Sequence, residues 1–309
     1  MEPGLVEWLQ SLKNPPYKVL SHGEDLDGIF SASLVHLAFL GQVEMKFMAP
    51  DESKVSDRSY DITLDLPPPA GGTLILIDHH DSNEELLTRA KKYVFDPKAP
   101  STAELVFESL VDEHDPRIEE AVRFTSKVDR GIMDEKTALF TSLVRRIFRT
   151  RREKLARLSL ELLKNPPRTG EDLMSTPTIS SEWELSRKEL EPVMLWAEKL
   201  GRLNLKDTVL IMDVRGFPGY STPYLLYKTK DSADVLITLT EGKNSYLRSS
   251  IRSKKDSLIS AIEIAEKFGG GGHRNAAGML IMESDLERLQ RFIVERGMKV
   301  YVARARNSI

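Results

Sequence analysis

The chain has 309 residues, 40% of them hydrophobic and 29% charged, with a formal net charge of −3 and no cysteine. That length favours two hydrophobic cores over one, the near-neutral charge excludes a globally basic nucleic-acid binder, and the lack of thiols excludes disulfides and thiolate metal sites. Apolar runs such as 74–77 are far too short to span a bilayer, and residues 1–13 lack the basic start and apolar stretch of a secretory signal. A cytoplasmic location with no membrane partner is therefore expected.

The first half alternates short apolar runs with amphipathic stretches, the pattern of a parallel sheet covered by helices. Strands are predicted over 17–21, 44–48, 61–64, 73–77 and 92–95, and helices over 28–40, 101–111 and 118–127. The second of these helices opens with a capping-box pattern, Ser101 and Glu104. Residues 137–163 read as helical and rich in arginine. A break rich in proline and serine spans 166–181, and another amphipathic helix covers 182–200. Beyond it, strands over 207–213, 233–240 and 245–252 belong to a smaller mixed α/β domain that ends in a helix over 284–296. No repeat or low-complexity tract interrupts the chain.

Open α/β sheets bind ligands outside the carboxyl ends of their strands, so residues at those ends carry the functional reading. The first strand runs into His22-Gly23-Glu24-Asp25-Leu26-Asp27-Gly28, which packs one histidine and three carboxylates into a single turn. Carboxylates this close repel one another unless protons or a multivalent cation intervene, although helix capping is an equally ordinary use of Asp25 and Asp27. Asp78-His79-His80 follows an apolar strand directly, and these two histidines and His22 are three of only six in the chain. Flanked by Asp78 and Asp81, the adjacent pair reads as metal ligands with their supporting groups. Asp65 ends another strand just before Pro67-Pro68-Pro69, and Asp129 sits where a helix ends, beside Arg130 as a candidate ion-pair partner. Without thiols, any metal must be held by imidazole nitrogen and carboxylate oxygen, which points to manganese, magnesium or a non-thiolate zinc site.

Far downstream, Gly269-Gly270-Gly271-Gly272-His273-Arg274 leads through small residues into apolar 279–281. Successive glycines expose backbone N–H groups, and a histidine and an arginine beside them add charge-assisted contacts, so this stretch reads as a shaped phosphate-binding loop rather than a tether. Arg252, on a strand, is a candidate for the same anion. The basic run Arg145, Arg146, Arg149, Arg151 and Arg152 reads as a solvated helix face, with tracking of a nucleic-acid backbone as the alternative.

Together these motifs resemble the DHH phosphoesterase superfamily, which includes RecJ-type exonucleases, nano-RNA and pAp phosphatases, cyclic dinucleotide phosphodiesterases and family II pyrophosphatases. The resemblance covers nearly the whole chain, with His22, Asp25 and Asp27, then Asp65, then Asp78-His79-His80, then Asp129, and finally Gly270 to His273 in the family's order. It implies a DHH catalytic domain over 1–185, a helical linker over 186–204 and a DHH-associated substrate-binding domain over 205–309. It further implies two divalent metal ions, manganese first, with magnesium or cobalt as alternatives. One ion would be held by His22, Asp25 and Asp65 and the other by Asp27, Asp65, His79 and Asp129. His22 stands one residue closer to the aspartate pair than in many members, which leaves Glu24 as its substitute.

In this reading a metal-activated water attacks phosphorus, His80 contacts the scissile phosphate and Asp78 supports the ligands from behind. Arg252, Gly270, Gly271, Gly272 and His273 would grip a terminal phosphate or nucleotide. The expected substrate is a short oligonucleotide or small nucleotide, and a homodimer is compatible with the sequence. The alternative is a catalytically weak nucleic-acid-binding or replication scaffold of the same fold.

Overall fold

The computed structural model describes residues 4–111, 115–242 and 245–305. The chain divides into two units, residues 1–184 and 185–309. The elements of the first, in chain order, are α1 (Leu5–Leu12), β1 (Tyr17–His22), α2 (Leu26–Ala38), β2 (Val43–Met48), α3 (Pro50–Lys54), β3 (Tyr60–Leu64), β4 (Thr73–Asp78), β5 (Ala90–Phe95), α4 (Thr102–Leu110), α5 (Pro116–Asp129), α6 (Glu135–Thr150), α7 (Lys154–Lys164) and α8 (Gly170–Ser175), followed by α9 (Pro177–Gly201), which crosses the boundary.

The five strands pair in the order β2-β1-β3-β4-β5, all parallel. From β1 the chain adds β2 on one side and then returns to add β3 on the other, so the strand order reverses between β1 and β3. That reversal opens a crevice at the carboxyl ends of these two strands, where α/β sheets bind ligands. β3 is buried at every position, as a central parallel strand must be. α2 is buried continuously from Leu26 to Val35, enclosed by β1, α4, α5 and α7. A helix apolar on all sides belongs inside a core, and α2 carries the first motif loop into it.

The helix predicted to begin at Gly28 starts at Leu26, which puts Asp27 in its first turn. Residues 137–163 form two helices, α6 and α7, parted by a turn at Arg151–Glu153. The break at 166–181 contains α8 and the start of α9, so the stretch 186–204 is largely the later part of one 25-residue helix. Pro177 opens that helix at its first turn, where a missing N–H costs nothing.

The second unit contains β6 (Leu205–Asp213), α10 (Thr222–Thr229), β7 (Ala233–Glu241), β8 (Tyr246–Ser253), α11 (Ala261–Lys267), β9 (Gly271–His273), β10 (Ala276–Met282), α12 (Leu286–Glu295) and β11 (Lys299–Arg304). Its sheet has the order β11-β6-β7-β8-β10-β9 and is mixed: β11, β6 and β7 run parallel, while β8, β10 and β9 continue antiparallel. Val209, Ile211, Val235, Ile237, Ile251, Ile264, Ile281 and Phe292 fill its core. The glycine-rich stretch predicted as a loop is the edge strand of a hairpin with β10. Among the described residues no helix is long and apolar enough to cross a membrane.

Candidate metal centre

β1, β3 and β4 each hand a carboxylate or imidazole to the crevice. Asp25 caps α2 with one oxygen, which accepts from the Gly28 amide at 3.2 Å. Its other oxygen lies 3.0 Å from His22 Nδ1, so capping and site-building are shared by the two ends of one carboxylate. Such a cap stabilises a helix by about 1 kcal/mol. Gly28 has to be glycine, because a Cβ there would overlap the His22 carbonyl. At the end of β3, Asp65 takes a left-handed backbone with φ 56°, while its amide donates to the Ile77 carbonyl of β4. Non-glycine residues rarely adopt that conformation outside turns and functional sites, and aspartate tolerates it better than most.

Asp65 stands between two groups of donors. One of its carboxylate oxygens is 3.3 Å from His22 Nδ1, and the other is 3.8 Å from His79 Nε2 and 3.5 Å from His80 Nδ1. His79 Nε2 also lies 3.7 Å from Asp27 and 3.6 Å from Asp129. The structure therefore brings His22, Asp25 and Asp65 into one cluster and Asp27, His79 and Asp129 into another, with donor atoms within 4.8 Å in each; Asp65, His79 and His80 form a third grouping that shares one residue with each of these. Glu24 joins neither cluster; its carboxylate is 3.9 Å from the far nitrogen of His22. Arg130 donates to the Ser126 carbonyl, so the ion pair open to Asp129 in the sequence does not form among the described residues.

The supporting hydrogen bonds decide which atoms face the crevice. His79 Nδ1 lies 3.2 Å from the Ala99 carbonyl, which can only accept, so Nδ1 carries the proton and Nε2 keeps its lone pair. That Nε2 is buried and has no hydrogen-bond partner. Asp78 is fully buried and occupied: Oδ1 accepts from the amides of His79 and His80 and from His80 Nδ1 at 2.8 Å, and Oδ2 accepts from Asn83 at 2.6 Å. With Nδ1 of His80 engaged, only its Nε2 remains for a ligand, which separates His80 from its neighbour in kind.

Asp27 accepts from the amides of Thr102 and Ala103, both at 2.8 Å, at the N-terminus of α4, and Thr102 Oγ1 donates to Asp65. Thr102, Ala103, Ala99 and Asn83 were not singled out from the sequence; only the capping residue Ser101 marked this corner. The predicted reciprocal cap is half formed, since Ser101 accepts from the Glu104 amide while the Glu104 carboxylate accepts from Ser126.

Charge is concentrated here beyond what protein groups neutralise. Burial pushes the Asp27 carboxyl up, and the charges of Asp65, Asp129 and Asp25 push it further, well above the carboxylate range. Burial and the charges of Asp65 and Asp25 raise Asp129 to about 7. Burial works against the charge of His22, but Asp25 beside it and hydrogen bonds to Asp25, Asp65 and Glu24 raise it well above 6.5. The same contact holds Asp25 below its ordinary value against the effect of burial. His80 opposes burial in the same way through Asp78 and Asp65 and reaches about 9.

In three dimensions the chain resembles PggH, a pGpG-specific phosphodiesterase from Vibrio cholerae, with a TM-score of 0.61 at 19% identity over 91% of this chain and 99% of that one. It also resembles RecJ from Thermus thermophilus: the Mn2+ complex at TM-score 0.58 and 15% identity, covering 97% of this chain and 55% of that one, and the Mg2+ complex at TM-score 0.54 and 14% identity, covering 96% and 53%. This chain has a DHH-type, RecJ-like fold. It spans about half the length of RecJ. No protein-family model matches the sequence, and no curated protein does.

Within this DHH-type fold the two clusters fit divalent cations. Ligands about 2.0–2.2 Å from one ion stand roughly 3–4.3 Å from one another, and the imidazole–carboxylate separations above fall in that range. A cation would also give the orphaned His79 Nε2 a partner and relieve the repulsion among Asp27, Asp65 and Asp129.

In the second unit, Arg252 on β8 pairs with Ala276 on β10, and Ala276 pairs with His273 on β9. Residues opposite one another in adjacent strands share a face, so Arg252 and His273 flank the small Ala276 in a single row. Two of the glycines are dictated by packing. A Cβ on Gly270 would overlap the Gly278 carbonyl, and one on Gly272, at φ 140°, would lie 2.6 Å from the Ala276 carbonyl and the Ala277 Cα. Gly271 has open space around the position of a Cβ.

Proposed function

We propose that this protein is a metal-dependent phosphoesterase that hydrolyses short oligonucleotides or small nucleotides with two divalent cations, manganese being the first candidate. His22, Asp25 and Asp65 would hold one cation, and Asp27, Asp65, His79 and Asp129 the other. The observation that carries this reading is the pair of donor clusters meeting at Asp65, with the lone pair of His79 Nε2 buried and unmatched among three carboxylates. The likeness to PggH, which extends over 99% of that phosphodiesterase, and to the Mn2+ and Mg2+ complexes of RecJ supports it.

When bound, such cations supply an acidified water and neutralise charge on the leaving oxygen. The protein's own groups do the positioning. Ala99 fixes the tautomer of His79, and the amides of Thr102 and Ala103 hold Asp27 in place. Asp78 orients His80 and keeps it protonated, so that its Nε2–H is available to donate to a phosphoryl oxygen as negative charge develops there. In the second unit, Arg252 and His273, in one row beside the Gly271 edge, would bind a further phosphate or nucleotide.

The test is manganese-dependent turnover of a panel comprising a short RNA, a short DNA, pAp, a cyclic dinucleotide and pyrophosphate, with Asp65→Asn and His79→Ala proteins in parallel. Turnover of one member by the wild type, reduced at least a hundredfold in both variants, is expected. Nucleic-acid binding without turnover of any member would replace hydrolysis by a scaffold role.

A further inference from the structure

We propose that Arg145, on α6, forms a phosphate subsite beside the first metal-ligand loop and binds an oxyanion of the substrate. This rests on the phosphoesterase reading and adds to it a residue outside the family-like motifs.

The motif loop is closed over by α6. A Cβ on Gly23 would stand 2.5 Å from Phe148 Cδ2 and 2.9 Å from Phe47 Cβ, so the bare backbone of Gly23 is what lets the Phe148 ring settle directly on the loop. Arg145 precedes Phe148 by three residues, the spacing that puts two side chains on one helix face. Its charge is felt at both Glu24 and Asp25, the two residues that follow Gly23. α6 therefore brings Arg145 to the first motif loop, and the charge of Arg149, one turn further on, also reaches Glu24.

The rest of the basic run is largely committed to structure. Arg146 and Arg151 both bind the fully buried carboxylate of Glu182. Arg152 binds Glu52 and stacks 3.8 Å over the Phe148 ring. Arg145 differs: its Nε is buried without a hydrogen-bond partner, and its side chain makes no ion pair among the described residues.

A buried N–H with no acceptor is a cost, and a fixed cation beside carboxylates that collect metal ions opposes their loading. A phosphate oxyanion resolves both. It accepts from the planar guanidinium in the two-point geometry that arginine favours over lysine, and it arrives only once cations have neutralised the carboxylates. The competing account is that Arg145 only screens Glu24 and Asp25 and so holds the loop.

The experiment uses the full chain as wild type, Arg145→Ala and Arg145→Lys. Three quantities are read: the rise in melting temperature with Mn2+, the dissociation constant of inorganic phosphate for the Mn2+-loaded protein, and KM and kcat on whichever panel member turns over. The expected result is a Mn2+ response close to that of the wild type, phosphate binding weakened at least tenfold in Arg145→Ala and less in Arg145→Lys, and a matching rise in KM. Unchanged phosphate affinity in Arg145→Ala, no phosphate binding by the loaded wild type, or loss of the Mn2+ response together with phosphate affinity would each overturn the subsite. A wild type that binds phosphate through Arg145 and yet turns over nothing would leave the subsite standing and remove the hydrolase reading instead.

Discussion

Stripping divalent cations from this protein should leave a fold whose stability declines as pH rises. Asp129 is raised to about 7 in the folded state by burial and by Asp65 and Asp25, whereas an unfolded carboxyl titrates near 3.9. Between those values the folded chain binds a proton that the unfolded chain does not, so stability falls with rising pH across that window. The gap corresponds to about 4 kcal/mol. The side chain is 25% exposed, and solvent screening brings the expectation to about 2 kcal/mol. Asp27 is raised as well and acts with the same sign. His80, raised to about 9, and His22 also share it, because an elevated imidazole contributes stability that is complete below about 6.5 and is lost as pH climbs through the folded value. Asp25 works in the opposite direction, but only in the acid range below an ordinary carboxyl.

The assay is thermal unfolding of EDTA-treated protein at pH 5.5, 7.0 and 8.5, with and without Mn2+. About half of the Asp129 effect is already lost below pH 5.5, so the loss between the lowest and highest pH is about 1 kcal/mol, roughly 2–4 °C for a unit of this size. Mn2+ at a hundred times its dissociation constant restores about 2.7 kcal/mol. The gain should be larger at pH 8.5, where fewer ligand protons need displacing. Asp129→Asn should flatten the pH slope of the metal-free protein. A metal-free melting temperature that rises from pH 5.5 to 8.5, or an Asp129→Asn slope equal to that of the wild type, would refute this account of the site's charge.

Asp78→Ala removes the acceptor of four donors, including the His80 ring and Asn83, and should cost about 3–5 kcal/mol in denaturant unfolding. Asp78→Asn, which keeps one carbonyl oxygen, should cost less than half of that; equal costs would show that the carboxylate is not the organising group. Gly28→Ala forces a methyl group against the His22 carbonyl, so it should lose about 1–3 kcal/mol and the Mn2+ response together, as followed by thermal unfolding. Glu182→Ala leaves Arg146 and Arg151 without the buried carboxylate that joins α9 to the end of α6, and a loss of about 3–5 kcal/mol is expected by chemical denaturation. A change below about 0.5 kcal/mol would place that carboxylate among the dispensable surface pairs.

What the sequence alone determined is mostly what short-range pattern encodes. Apolar runs broken by carboxylates and histidines locate β1, β3 and β4 within a residue or two and put His22, Asp65 and Asp78-His79-His80 at strand ends, because a buried parallel strand must stop where polar groups begin. The α/β class followed from the same alternation. Elements without such contrast escaped: α1 and α10 are short, and β11 stands as a strand through its parallel pairing with β6. β9 has only three residues, two of them glycine, and is a strand only because β10 lies beside it. No local pattern encodes that.

The tertiary structure alone decided which donors meet. The reversal of strand order between β1 and β3 brings His22 to Asp65, 43 residues further on, and the start of α4 supplies Asp27 with amides from 75 and 76 residues away. It also sorted the arginines, committing Arg146 and Arg151 to a glutamate 36 and 31 residues on while leaving Arg145 at the motif loop. Spacing along a chain constrains neighbours within a turn or a strand. Partners further apart are chosen by which surfaces pack, and packing is a property of the whole fold.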